Sequence, residues 1–280
     1  VLEALIDPKR AEKKPWNLFI LGIVYASFAL LLSWWITKDH ASLIMITLTA
    51  ICSVPLIYST IKYEEEKDES DKKEYWLIKE HGKAISAFTF LFLGFVAAFT
   101  LWFIFLPSSS TQTLFSVQIE TITHITKMAA PTGNLVQSYL NFVPILMNNL
   151  KILIFCFLLS FFFGAGSIFI LTWNASVVAV AIGVFIRNEI LSKLGPTVST
   201  YFGIVSLGIM KYMTHGIVEI IAYFVGALAG GILSVAVIRH DFNTPEFKKV
   251  LLDATDGMAI SVILLFIAAM IEVFITPLLI

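Results

Sequence analysis

The sequence predicts an all-α polytopic transmembrane helix bundle, and three observations lead there. Of 280 residues, 58% are hydrophobic and only 14% are charged, against about 25% charged in an ordinary soluble domain. The apolar residues gather in nearly uncharged blocks of about 20, the length that crosses a hydrocarbon core about 30 Å thick. Inside lipid the backbone amides have only one another as partners, so each block must be a helix. The partner this composition demands is the lipid bilayer. A net charge of −1 gives no reason to expect nucleic acid.

Spanning helices read at 16–36, 41–58, 84–106, 150–171, 217–238 and 258–275. The first block is too long for a signal peptide and lacks a small-residue cleavage site, so it reads as a span. Cys52 and Cys156 lie inside apolar blocks and read as reduced, buried small hydrophobes. Between 175 and 213 the pattern weakens. A short apolar run, 177–186, is followed by a polar break (Arg187, Asn188, Glu189, Lys193, Gly195, Pro196) and a second run, 201–213.

Lys and Arg placement orients the whole, because short cytoplasmic loops collect positive charge. Lys9, Arg10, Lys13 and Lys14 in the N-terminal tail, six lysines in 59–83, and Arg239, Lys248 and Lys249 are all expected in the cytoplasm. The connection 107–149 carries only Lys127, which suits the outside. These assignments agree if one crossing lies between 171 and 217. The expectation is therefore about seven spans in a cell membrane, N-terminus cytoplasmic, with 177–186 crossing and 201–213 re-entrant or interfacial. Three regions follow: a three-helix transmembrane part with a charged loop over 1–106, an external amphipathic connection over 107–149, and a transmembrane core over 150–280.

Within the connection, Leu114, Val117, Ile122, Ile125 and Met128 recur at helical spacing. After Pro131 and Gly133, so do Leu135, Tyr139, Phe142 and Leu146. These read as amphipathic helices on the membrane surface or capping the bundle. The loop 63–80, dense in both signs, reads as solvated helix extensions with i,i+4 pairs. It and 107–149 are the two segments suited to docking a protein partner.

Polar residues inside spans normally face another helix or water, because lipid penalises them by a few kcal/mol. Lys211, His215 and Glu219 follow at i, i+4 and i+8 on one helix face, which continues through Ala222, Gly226 and Gly230. Two readings stand: a buried polar contact that fixes helix register beside a close-packing face, or a proton or ion relay. Glu272, near the end of the last span, either reaches the interface or bonds another helix. Ser160, Gly164, Ala165, Gly166 and Ser167 form a second close-packing face, and such faces also suit a homodimer. Asn149 reads as an N-cap, and Asn174 as a bridge across a tight turn at 172–175. That turn is placed inside, which argues against glycosylation of its sequon. Nucleotide, hydrolase and zinc-protease signatures are absent. His215 with Glu219 lacks a third ligand nearby in sequence, so no metal, cofactor or catalytic residue is expected, and an intramembrane metalloenzyme is the weakest reading.

Three segments together resemble the stage II sporulation protein M family. They are Asn148-Asn149-Leu150-Lys151 leading into Phe163-Gly164-Ala165-Gly166 and Trp173-Asn174-Ala175-Ser176; His215-Gly216-Ile217-Val218-Glu219 with Ala227-Leu228-Ala229-Gly230-Gly231; and the closing Ile271-Glu272 and Thr276-Pro277. The resemblance covers roughly 141 to the C-terminus, so the first three spans read as an addition. Thr214 stands where the family pattern has Pro, which lets the helix continue upstream to Lys211. The resemblance implies that Asn149, Asn174, His215, Glu219 and Glu272 are family core positions. In sporulating bacteria it implies a non-enzymatic membrane scaffold that gathers cell-wall hydrolases during engulfment; members also occur in organisms that do not sporulate, including archaea. A scaffold is thus the first expectation. A transporter or channel with its intramembrane site at Lys211, His215 and Glu219 is the alternative.

Overall fold

The computed structural model describes residues 13–68, 74–128, 135–192, 197–239 and 244–278. Lys9, Arg10, the charges at 69–73, Pro131, Gly133 and the Lys193–Pro196 part of the polar break lie outside them. The helices are α1 (Pro15–Ile36), α2 (Ala41–Asp68), α3 (Glu74–Phe105), α4 (Ser108–Leu114), α5 (Ser116–Met128), α6 (Leu135–Phe163), α7 (Ser167–Ser192), α8 (Val198–Arg239) and α9 (Pro245–Met270). The last runs on into a π turn, Ile271–Ile275, and a 3₁₀ turn, Thr276–Leu278. Among the described residues, seven helices are long and apolar enough to cross a membrane. The chain is a multi-pass membrane protein. Large apolar side chains such as Trp35, Phe105 and Phe202 stand exposed on the outside of the bundle, where lipid is the solvent.

Two groups of helices make the bundle. In the first, α1 packs on α3 and α2, and α3 and α2 pack on α7. In the second, α8 packs along both α6 and α9. Contacts of α8 with α7 and α2 join the groups. The first group is pinned where backbones touch: a Cβ at Gly22 of α1 would press on the Leu91 carbonyl of α3, and one at Gly94 on that of Phe19. Trp102 Nε1 also donates to Ser27 Oγ at 3.0 Å.

The crossing count agrees with the sequence, but the crossings are drawn differently. The turn expected at 172–175 lies at Gly164-Ala165-Gly166 instead, between α6 and α7. Gly164 has φ +63°, a left-handed conformation that costs other residues about 1–2 kcal/mol. That conformation ends α6 there, so Thr172–Ala175 and the run 177–186 fall within one uninterrupted α7. Nor is 201–213 re-entrant or separate. It is the first third of α8, 42 residues long and so about 63 Å. With Thr214 in place of Pro and helical glycines at 203 and 216 that touch nothing, no residue stops the helix.

The element that does dip into the bundle is the α4–α5 hairpin, which the sequence assigned to the surface or a cap. Its tip, Leu114 and Phe115, is fully buried. Phe115 meets Phe103 edge-on at 5.4 Å and Phe99 at 6.3 Å, up to two turns below the end of α3. Irregular backbone at such depth is tolerated only where protein surrounds it. The connection expected outside is accordingly shorter than 107–149, because α6 starts at Leu135. At the other face, α2 runs on to Asp68 and α3 starts at Glu74, the helix extensions expected. Yet Glu64 and Glu65 are fully buried, not solvated, and Glu64 meets His81 Nδ1 at 2.6 Å. Side chains of 67–80 lie outside the described residues.

Candidate functional site

The polar residues of α6, α8 and the C-terminal turns converge. Asn149 is not an N-cap: α6 begins fourteen residues earlier, at Leu135, and Asn149 sits buried within it. Its side-chain amide donates to Glu219 Oε1 of α8 at 2.5 Å. An amide opposite a carboxyl is the pairing expected where lipid offers neither group a partner.

Four residues N-terminal on the same face of α8, His215 Nδ1 lies 3.2 Å from Thr276 Oγ1. Thr276 has a single hydroxyl proton, which goes to the Ile271 carbonyl at 3.2 Å. The Thr276 backbone N–H also bonds Ile271 O, the i→i−5 pattern of a π turn. Pro277 explains the widening, because its ring would clash with the carbonyl four residues back in a regular α-helix. The turn carries Glu272. Since α8 and the C-terminal turns run antiparallel, with 215 opposite 276, four residues along each brings 219 opposite 272. Glu219, Glu272 and the buried Tyr223 lie within electrostatic reach of one another, and Cys156 of α6 lies close to Tyr223.

Lys211 does not join them. Its Nζ lies 5.2 Å from the Phe185 ring centroid of α7 and 5.8 Å from that of Tyr212, a cation–π contact. Around Gly208 α8 packs against Phe185 and Ile186 of α7, whereas from Glu219 to Gly230 it packs against α6. Asn174 is half-buried in the middle of α7, and no hydrogen bond among the described residues draws it into the cluster.

The small-residue positions do as close-packing faces should, but within the chain. A Cβ at Gly230 would press on the Phe157 carbonyl of α6, and one at Gly226 on the Leu153 side chain. Ala222, fully buried, continues the face. At the α6–α7 turn, a Cβ at Gly166 would lie 2.6 Å from the Leu159 carbonyl, Gly164 abuts the Tyr58 ring, and Ser160 Oγ donates to Ser167 Oγ at 2.8 Å. The faces that suggested a homodimer are thus occupied by the chain itself. Among the described residues, no three His, Cys, Asp or Glu side chains come together to hold a metal.

Two polar anchors escaped the sequence reading. Arg187, taken for part of a polar break, lies within α7 and reaches the end of α3: its Nη2 donates to the carbonyls of Leu106 and, at 3.2 Å, Ile104, and its guanidinium lies 5.0 Å from the Phe103 ring centroid. A cation on orphan carbonyls is a good helix terminator. Gln118 of α5 accepts from Ser42 Oγ at 2.7 Å and donates to Ser176 Oγ at 3.1 Å. A glutamine amid Val117, Ile119 and Ile122 was the only available sign.

The sequence pattern of the family described as Stage II sporulation protein M matches residues 18–277. The chain belongs to that family. The match begins in α1, so the first three spans are part of the family's extent and not an addition to it. The chain is also 33% identical over 141 residues to an uncharacterized protein of Methanocaldococcus jannaschii, covering 49% of this chain and 71% of that relative. No solved structure matches the chain. Of the five positions that the family resemblance picked out, the fold of this family member gathers Asn149, His215, Glu219 and Glu272 at one helix junction, while Asn174 stays within α7 apart from them.

Proposed function

We propose that this family member is a non-enzymatic membrane scaffold, in which the α6–α8–α9 junction holds the helices in one register and the parts outside the membrane bind partner proteins. The observation that carries this is the direct Asn149–Glu219 hydrogen bond, flanked by the backbone contact of Gly230 with Phe157. Polar side chains joined face to face in lipid cement helices. The scaffold lies in the cell membrane with its N-terminus cytoplasmic, which the lysines of 59–83 support. Partners dock at 63–80 on the inside or around the outer helices. Pairing of two copies would use lipid-facing surface, such as Phe155, Phe162 and Phe163 of α6.

One observation favours transport as a second reading. Glu219 and Glu272 share a level beside Tyr223, and two facing carboxyls can hold and release a proton. The experiment that separates the readings is purified protein in liposomes with pH- and ion-sensitive dyes, comparing wild type with Glu219→Gln and His215→Ala. The scaffold predicts no flux in any of the three. Flux in the wild type that both folded variants lose would overturn it in favour of transport.

A further inference from the structure

The membrane-crossing helices of this bundle differ greatly in length. The apolar crossing of α1, Pro15–Ile36, has 22 residues and that of α8, Val198–Ile238, has 41, about 33 Å and 62 Å at the α-helical rise. A hydrocarbon core is about 30 Å thick. Tilt does not absorb the difference: at about 40°, the upper end of the range for membrane helices, α8 still rises about 47 Å.

The excess lies at one end. Near the α6–α7 turn the helices are level: Gly164 abuts Tyr58 of α2, and a Cβ at Gly231 of α8 would press on Ile61 of α2. Toward the opposite face, Gly208 packs on Phe185 and Ile186 of α7. The next residue, Arg187, holds the carbonyls of Ile104 and Leu106 at the end of α3. Residues 198–207 of α8 therefore stand up to about 15 Å beyond the level at which α3 ends. α7 accompanies them as far as Ser192.

The projecting end is apolar. From Val198 to Met210 there is no charged side chain, and only Ile204 and Gly208 are buried there. Leu191, Val198 and Phe202 are 84%, 86% and 77% exposed. The nearest cations turn inward, Lys211 onto the Phe185 ring and Arg187 onto the α3 carbonyls. Asn188 and Glu189 lie about one turn from Ser192, close enough to reach past the end of α7. In water this surface would be a bare hydrophobic patch. What covers it follows from continuity: the exposed side of α8 runs on through Leu207, Ile209, Met210 and Ile217 toward the level of Glu219, where lipid is the solvent.

We infer that lipid covers α8 to its tip, so that the protein has two hydrophobic thicknesses: an ordinary one along α1 and a greater one at the α7–α8 end, which takes the acyl chains of long-chain phospholipid. Around this end a bilayer of ordinary thickness must stretch, at a cost that rises with each ångström of mismatch. Longer chains cover the tip without stretching. The surface is independent of the scaffold role and of the Glu219 junction. A partner protein or a second copy seated on the tip is the competing occupant, and the experiment separates it from lipid.

The test puts an environment-sensitive fluorophore on Phe202→Cys at the tip and, in a second variant, on Leu43→Cys at the start of α2. Both positions are exposed, and wild type carried through the same labelling gives the background from Cys52 and Cys156. Each is reconstituted, at low protein-to-lipid ratio, in phosphatidylcholine of ordinary and of long chain length (about 18 and 22 carbons) containing a doxyl-labelled lipid as quencher. The Leu43 label should be quenched equally in both, and the Phe202 label several-fold more in the longer lipid, with emission moving to shorter wavelength. Strong quenching at Phe202 already in the ordinary lipid is the same result, with the bilayer drawn up around the tip. A Phe202 label that keeps aqueous emission in the long-chain lipid would overturn the proposal. So would lipid-like emission there that the doxyl lipid does not quench, because protein would then cover the tip. A chain-length response at Leu43 as large as at Phe202 would show one thickness for the whole bundle. Circular dichroism and gel filtration establish that each variant is folded.

Discussion

Asn149 and Glu219 lie 70 residues apart in sequence and share one hydrogen bond in a lipid-surrounded bundle, so their removal is not symmetric. Asn149→Ala leaves the Glu219 carboxyl without its donor and should cost about 1–3 kcal/mol. Replacing both by leucine should recover much of that, because no polar group is then stranded. Thermal unfolding in detergent across the four-member cycle measures the coupling, and additive losses would mean that the bond contributes little. Arg187 makes a second residue-scale case. It terminates α3 and holds Thr111 of the hairpin, so Arg187→Met should cost about 1.5–3 kcal/mol for its charged hydrogen bonds. The same change should raise the labelling of a cysteine placed at the buried Leu114; unchanged labelling would show that apolar packing alone seats the hairpin.

Helix packing turns on which glycines face backbone. Gly230 faces the Phe157 carbonyl, whereas a Cβ at Gly216 meets nothing. Gly230→Ala should therefore push α6 and α8 apart and destabilise by about 1–3 kcal/mol. Gly216→Ala should stabilise by about 0.4–1 kcal/mol, by removing backbone freedom from the unfolded chain. Opposite shifts in unfolding midpoint are the expected result, and equal shifts would mean that the α6–α8 contact is looser than described. Gly164 is governed by backbone instead of space: at φ +63°, Gly164→Ala should cost about 1–2 kcal/mol. The π turn before Pro277 is the matching device at the other end. It carries Glu272 and sets Thr276 Oγ1 3.2 Å from His215 Nδ1.

For the whole molecule the leading question is which side each connection faces. With the N-terminus in the cytoplasm, a cysteine at Glu66, exposed near the end of α2, should react with impermeant maleimide only in inside-out vesicles. One at Gln112, exposed on α4, should react only in intact cells. The native Cys52 and Cys156 lie within spans and give little background. The reversed pattern would invert the topology, and with it the side on which the α4–α5 hairpin lies. The two groups of helices also divide the chemistry: the carboxyl junction belongs to α6, α8 and α9, and the Ser42–Gln118–Ser176 bridge to α2, α7 and the hairpin.

How much of this was readable in advance follows from the range of the interactions concerned. Burial in lipid is local and additive along a helix, so hydropathy determined the class and six of the crossings, the placement of Lys and Arg added the seventh, and the family resemblance marked Asn149, Asn174, His215, Glu219 and Glu272, of which all but Asn174 meet at one junction. The same sequence misplaced the turn between α6 and α7, because a polar Thr172-Trp173-Asn174 outweighs two glycines in composition but not in backbone geometry. It made Asn149 a cap and put Lys211 with Glu219, because one-helix spacing cannot tell which neighbour each side chain meets. Only the tertiary structure decided that Lys211 goes to Phe185, that Gly230 touches Phe157 within the same chain, and that Gln118 is buried between Ser42 and Ser176. Those pairings depend on the register of helices brought together from distant parts of the chain, and in lipid, where apolar surface has no preference for helix over solvent, close approach and hydrogen bonds set that register.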